Sequence, residues 1–212
     1  VMMPRASHLI AENKEDEFNR LIQKSYDFTL AIALPMTIGL IFCAPSLITA
    51  LCGVKFEHSI LPSQIIAPII LMVAISNVFG IQVLFPKGKI NIVTLCCGIG
   101  AVADLILNLC LIPFFSYIGT SIAYLGAEVA TTVSMYFIGR KYIPIIYFKK
   151  SHLTYALGCI VMAFALYGLS LLQLPTFTIL LLQGCCGVLA YFIILCICKD
   201  EMLVQILSKI KR

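Results

Sequence analysis

The sequence predicts an all-α, polytopic membrane helical bundle of about six transmembrane helices, and three observations carry that expectation. Hydrophobic side chains make up 61% of the 212 residues and charged ones only 12%, about half the charged share of a soluble globular domain. The apolar residues fall in uncharged stretches long enough for the roughly 20 helical residues that a hydrocarbon core requires. The 15 Lys and Arg residues are confined to the short segments between those stretches, which is a topology signal.

The first 27 residues hold Leu9, Phe18, Leu21 and Ile22 at helical spacing among Glu12, Lys14, Glu15, Asp16, Glu17, Arg20 and Lys24. That pattern predicts a cytoplasmic helix over 8–26 lying at the membrane interface or serving as a solvated connector. Val1 is not an initiator, and residues 1–7 lack the charged and apolar regions of a signal peptide, so the chain is expected to begin inside a longer protein.

Residues 28–137 are expected to hold four transmembrane helices, at 28–54, 60–85, 92–115 and 118–137, with a tight turn around Pro113 to Tyr117 joining the last two. A basic loop at 138–152 follows, then a further helix pair within 153–198 whose turn is marked by Gln173 and Pro175. The basic tail, 199–212, carries Met202, Leu203, Ile206, Leu207 and Ile210 on one side and reads as another surface helix. Placing successive ends on alternate sides puts 14 of the 15 cationic residues on one face and only Lys55 on the other. The crowded face is cytoplasmic by the positive-inside rule, which puts both ends of the chain inside.

Composition and motifs exclude several functions. The formal charge of +5 sits in loops instead of forming a phosphate-reading face, so no nucleic-acid partner is expected. The cysteines lie inside apolar runs and read as small hydrophobes, and His8, His58 and His152 lack metal-ligand spacing, so no metal is expected. Gly98-Ile99-Gly100-Ala101-Val102-Ala103 matches a dinucleotide fingerprint as a string, but it lies within an apolar span with no preceding strand; it is close-packing chemistry. With no nucleophile arrangement and no outer loop large enough for a catalytic domain, an enzyme is not expected.

Two acids lie deep inside apolar stretches, Asp104 and Glu128, where an ionised group costs at least about 2.5 to 3.5 kcal/mol. Thr94, Cys97, Ala101, Asp104 and Asn108 follow one another at steps of three or four, leaving Ile99, Val102, Ile106 and Leu109 for lipid. Ser121, Tyr124, Glu128, Thr131 and Met135 form the matching stripe on the next helix. The two acids then lie at comparable depth and face one cavity, either as an ion-linked transport site or as carboxylic acids that hold helices together by hydrogen bonds. Asn77 and Gln82 join the candidate pathway from the second stretch, where they sit close to Lys87. Pro35, Gly39 and Pro45 are expected to bend the first span.

Three stretches resemble the oligosaccharide flippases of the multidrug, oligosaccharidyl-lipid and polysaccharide exporter superfamily. They are Val1-Met2-Met3-Pro4-Arg5-Ala6-Ser7 with Glu12-Asn13-Lys14-Glu15-Asp16-Glu17 and Leu34-Pro35-Met36-Thr37-Ile38-Gly39; residues 61–80 leading into Gln82-Val83-Leu84-Phe85-Pro86-Lys87-Gly88-Lys89; and Asp104 to Glu128, with Asn108-Leu109-Cys110-Leu111-Ile112-Pro113 and Ile118-Gly119-Thr120-Ser121-Ile122-Ala123. The resemblance implies the C-terminal part of a twelve- to fourteen-helix transporter in two bundles. It further implies a flippase moving polyprenyl-diphosphate-linked oligosaccharide repeat units across the bacterial inner membrane by alternating access, for surface polysaccharide biosynthesis. The alternative is a multidrug or lipid (peptidoglycan-precursor) exporter of the same superfamily, with a glycan polymerase or ligase, or a half-transporter subunit, behind it.

Partners implied are the lipid-linked oligosaccharide, membrane lipid and polysaccharide polymerase machinery. No cofactor is implied, and coupling to a proton or sodium ion is open. Family members often carry asparagine where this chain has Asp104, so Asp104→Asn is expected to be tolerated if the residue only packs, whereas Glu128→Gln should slow export if Glu128 is part of the pathway. No span contains a mid-membrane Lys or Arg; Arg5, Lys87 and Lys89 at the cytoplasmic rim are the candidates for capturing a diphosphate headgroup, or they are plain positive-inside anchors.

Overall fold

The computed structural model describes residues 2–147, 149–172 and 175–198. The expected tail helix at 199–212 and the turn residue Gln173 lie outside them. Every regular element among the described residues is helical, in the order α1 Met2–Ala11, α2 Glu15–Cys52, a short 3-10 turn, α3 Ile60–Ile66, α4 Ile69–Asn77, a π-helical turn Val78–Leu84, α5 Ile90–Gly139, α6 Lys150–Ser170 and α7 Thr176–Ile197. Large apolar side chains such as Leu109, Phe114, Phe164 and Ile197 stand exposed, the surface expected of a protein solvated by lipid. All ten cysteines are free, with Cys96 and Cys159 buried.

Five helical stretches are long and apolar enough to cross a bilayer. One of them, α5, has 50 residues, a length of about 75 Å if straight, more than twice a hydrocarbon core of roughly 30 Å. It is not straight. Ser116 adopts φ 49° and ψ −127°, outside the helical region and unfavourable for a residue with a Cβ. The chain reverses there and makes the hairpin expected near Pro113 to Tyr117, so α5 holds two of the expected apolar spans. Gly119 lies directly against the Leu111 carbonyl, where an added Cβ would sit 2.6 Å from that oxygen; the absence of a side chain permits this close approach.

The structure corrects the expected single helix over 8–26. Asn13, at φ 55°, ends α1 in a Schellman arrangement: the Lys14 N–H donates to the Leu9 carbonyl at 3.0 Å and the Asn13 N–H to the Ile10 carbonyl at 3.1 Å. Asparagine tolerates this left-handed position. The chain then restarts as α2, with Glu15, Asp16 and Glu17 in the first turn, where carboxylates complement the helix dipole. Phe18 and Ile22 are fully buried, so the apolar face meets protein instead of lying on a membrane surface. At the break, Lys14 pairs with Glu12 at 2.9 Å; that hydrogen bond holds the Glu12 carboxyl below its usual value and raises that of Lys14.

Pro35 and Pro45 lie inside α2, which remains helical through both. The second apolar stretch is a segmented path: Pro68 separates α3 from α4, since proline has no N–H to continue the ladder, and the stretch ends in the π-helical turn. There the Phe85 N–H reaches back to the Gly80 carbonyl at 2.9 Å.

The described residues form two compact units, 2–30 with 68–147, and 31–67 with 149–172 and 175–198. In the first, the Gln23 side chain clamps the loop after α5. Its Oε1 accepts from the Ile146 N–H at 2.7 Å, and its Nε2 donates to the Ile146 carbonyl at 3.3 Å and to Asp27 at 2.7 Å. Tyr147 lies against Tyr26 and Tyr136, with ring centroids 6.0 and 5.2 Å apart. Burial first, then the neighbouring phenols of Tyr136 and Tyr26, pushes its phenol up to about 12. Because Gln23 is buried, Gln23→Ala should lower stability by about 1 to 2 kcal/mol, read as a fall in the thermal transition of the purified protein. In the second unit, Tyr191 donates to the Ala31 carbonyl at 2.7 Å, while Gly158 and Gly187 admit Tyr191 and Leu166 respectively at the α6–α7 contact.

Candidate functional site

The hairpin of α5 places the two acids. Gly100 meets Thr131, Gly126 meets Leu107 and Gly119 meets Leu111, an antiparallel register that sets Asp104 level with Glu128. Both line one cavity of about 580 Å³, with Asn77, Cys97, Tyr124 and Thr131, a volume within the roughly 300–1,000 Å³ of ligand sites. Gly100 is buried, and its lack of a side chain lets the second arm approach. Gly98 has open space where a Cβ would stand, so only part of the glycine string serves packing.

The lipid-facing assignment of Ile99, Val102, Ile106 and Leu109 agrees with their exposure. From the two polar stripes, Cys97, Ala101 and Asp104 reach the cavity on one arm, and Tyr124, Glu128, Thr131 and Met135 on the other. Thr131 donates to the Ala127 carbonyl at 3.0 Å, a bond within its own helix that leaves the hydroxyl lone pairs available.

The remaining candidates divide. Asn77 is in the cavity. Asn108 is not among its lining residues; its amide donates to the Asp104 carbonyl at 2.9 Å, and its Oδ1 is buried without a partner among the described residues. Gln82 is not among the cavity's lining residues either; its Oε1 accepts from the Ser25 hydroxyl at 2.5 Å, tying α2 to the π-helical turn. Arg5 is exposed on α1. Lys87 and Lys89 do come together, in a second cleft of about 490 Å³ that also takes Lys141 and Glu15.

Sequence reasoning missed Lys141 as a partner of those lysines, since it reads as one loop cation among many. It also missed Gln183, fully buried on α7 with neither amide atom hydrogen-bonded among the described residues. A lone polar residue in an otherwise uncharged stretch was the available signal.

Chemically, the larger cavity offers carboxyl, amide, phenol and hydroxyl groups and no lysine or arginine among its described lining residues. Such a set suits a cation or a proton and repels a phosphate. No group of three or more His, Cys, Asp and Glu placed to hold a metal ion occurs among the described residues.

The chain matches a family model described as lipid II flippase MurJ over residues 1–186. No curated protein sequence matches significantly. A solved structure of lipid II flippase MurJ in an inward closed conformation superposes with a TM-score of 0.81 at 18% identity, over 96% of this chain and 43% of that one. The chain thus spans less than half the length of that structure, with which it shares the transporter fold.

Proposed function

The chain belongs to the lipid II flippase MurJ family, and from that premise we propose that it takes part in moving a polyprenyl-diphosphate-linked peptidoglycan precursor across the bacterial inner membrane by alternating access. The observation that supports this most is the family match over residues 1–186. The peptidoglycan precursor, the alternative cargo in the sequence reading, therefore replaces the oligosaccharide repeat unit as the leading one. Transport requires no covalent chemistry of this chain. The 14-to-1 split of cationic residues favours an orientation with the loop containing Lys87 and Lys89 on the cytoplasmic side.

In this reading the cavity between the α5 arms serves energy coupling and the diphosphate is held elsewhere. Asp104 and Glu128 take up and release a proton or a sodium ion as access alternates, with Asn77, Tyr124 and Thr131 as neutral ligands or hydrogen-bond partners. A negatively charged pair cannot hold the diphosphate without a cation between them.

Complementation tests the cargo. The complete gene is expressed in one strain depleted of its lipid II flippase and in another lacking its O-antigen flippase. Restored growth of the first without restored surface glycan in the second is the expected outcome. Rescue of the second alone, with membrane expression verified in both, overturns the reading.

A further inference from the structure

We propose that Lys87, Lys89 and Lys141 form a binding site for the phosphate of an anionic lipid headgroup at the membrane boundary. The three ammonium groups share the 490 Å³ cleft with a single carboxylate, Glu15, leaving an excess of positive charge in a concave site. Neither of the ion pairs found among the described residues, His8–Glu12 and Lys14–Glu12, involves a cleft lysine.

Two of the lysines are positioned by rings. The Lys87 ammonium lies 5.1 Å from the centroid of the Phe18 ring and that of Lys89 5.1 Å from the Tyr142 ring. A ring face restrains the stem and lowers the cost of ordering it while occupying no hydrogen-bond acceptor, so N–H donors remain for a phosphate. Lys89 is also the N-cap of α5, which has no side-chain cap, so the partial positive charge of that helix end adds to the same field.

Position selects the ligand. Lys87 and Lys89 flank Gly88, whose φ of +69° makes the turn between the second and third apolar stretches, and Lys141 follows the fourth. All three therefore stand where a span leaves the hydrocarbon, the level of lipid phosphates. Ile143 and Pro144 supply an apolar wall for the glycerol or first carbons beneath the phosphate. This inference holds whichever cargo is carried, and its test is independent of transport.

Native mass spectrometry of the detergent-purified complete protein, titrated with phosphatidylglycerol or phosphatidylcholine, measures the site. Two triple variants remove equal charge, Lys87→Gln/Lys89→Gln/Lys141→Gln within the cleft and Arg20→Gln/Lys24→Gln/Arg140→Gln outside it. Phosphatidylglycerol affinity should fall at least ~10-fold in the first and less than ~2-fold in the second. Equal weakening in both, or none in the first, overturns the proposal. If the cleft triple variant does not purify as a monodisperse protein, Lys141→Gln alone, at an exposed position, carries the test with an expected loss of about 5-fold.

Competition assigns the source of the phosphate. Displacement by undecaprenyl diphosphate at low concentration identifies a diphosphate lipid as the occupant, and resistance to it identifies ordinary anionic phospholipid. Displacement by millimolar inorganic phosphate marks a soluble-anion site and overturns the lipid assignment.

Discussion

Replacing Gly119 by valine is expected to destabilise the α5 hairpin by about 3 kcal/mol or more, at the upper end of overpacking penalties. Even the first added carbon would stand 2.6 Å from the Leu111 carbonyl oxygen and 2.7 Å from its carbon. Both are backbone atoms of the opposite arm, so relief requires the arms to separate. Separation would spread Asp104 from Glu128, and transport should fall together with the thermal transition. Gly98→Ala is the matched control: with no neighbour within 4 Å of the new carbon, it should be neutral or stabilising by up to about 1 kcal/mol through helix propensity. Thermal unfolding of both variants in detergent checks the pair, and a Gly119→Val protein as stable as wild type would refute the register.

Glu128→Gln is expected to lower transport at least ~10-fold, the rate equivalent of about 1.4 kcal/mol of lost charge-linked interaction. Gln keeps the size and the hydrogen-bonding capacity of the side chain but cannot exchange a proton or balance a cation. The thermal transition should therefore change little while transport falls. If Glu128 only holds helices together, the amide should preserve transport, and full activity of the variant would remove it from the pathway. Asp104→Asn should be tolerated if Asp104 only packs, because the amide keeps the size and hydrogen-bonding capacity of the side chain. Uptake in proteoliposomes under imposed proton and sodium gradients separates the two coupling ions.

The acids were legible in the sequence because charge inside an apolar stretch is costly enough to demand a reason, and helical spacing fixed their faces. The hairpin was legible through its length and Pro113, although nothing in a serine marks Ser116 as the residue that leaves the helix. Local patterns failed where the deciding partner is distant. The partner of Gln82 is Ser25, 57 positions away, whose hydroxyl donates to its oxygen. Lys141 acquires meaning only beside Lys87 and Lys89. Asn13 carried a usable signal as a helix stop, yet the amphipathic pattern on either side hid it. Hydropathy and short motifs reached the transporter superfamily, whereas headgroup choice depends on the chemistry of the surfaces that meet the cargo, which hydropathy does not encode.

Flipping of defined lipids by the purified complete protein in proteoliposomes tests the central claim most directly. Labelled lipid II and an undecaprenyl-diphosphate-linked O-antigen unit are reconstituted separately, and the fraction accessible to an impermeant reagent is followed over time. The account predicts protein-dependent movement of lipid II that Glu128→Gln slows at least ~10-fold, with little movement of the O-antigen unit. Movement of the O-antigen unit but not of lipid II would contradict it.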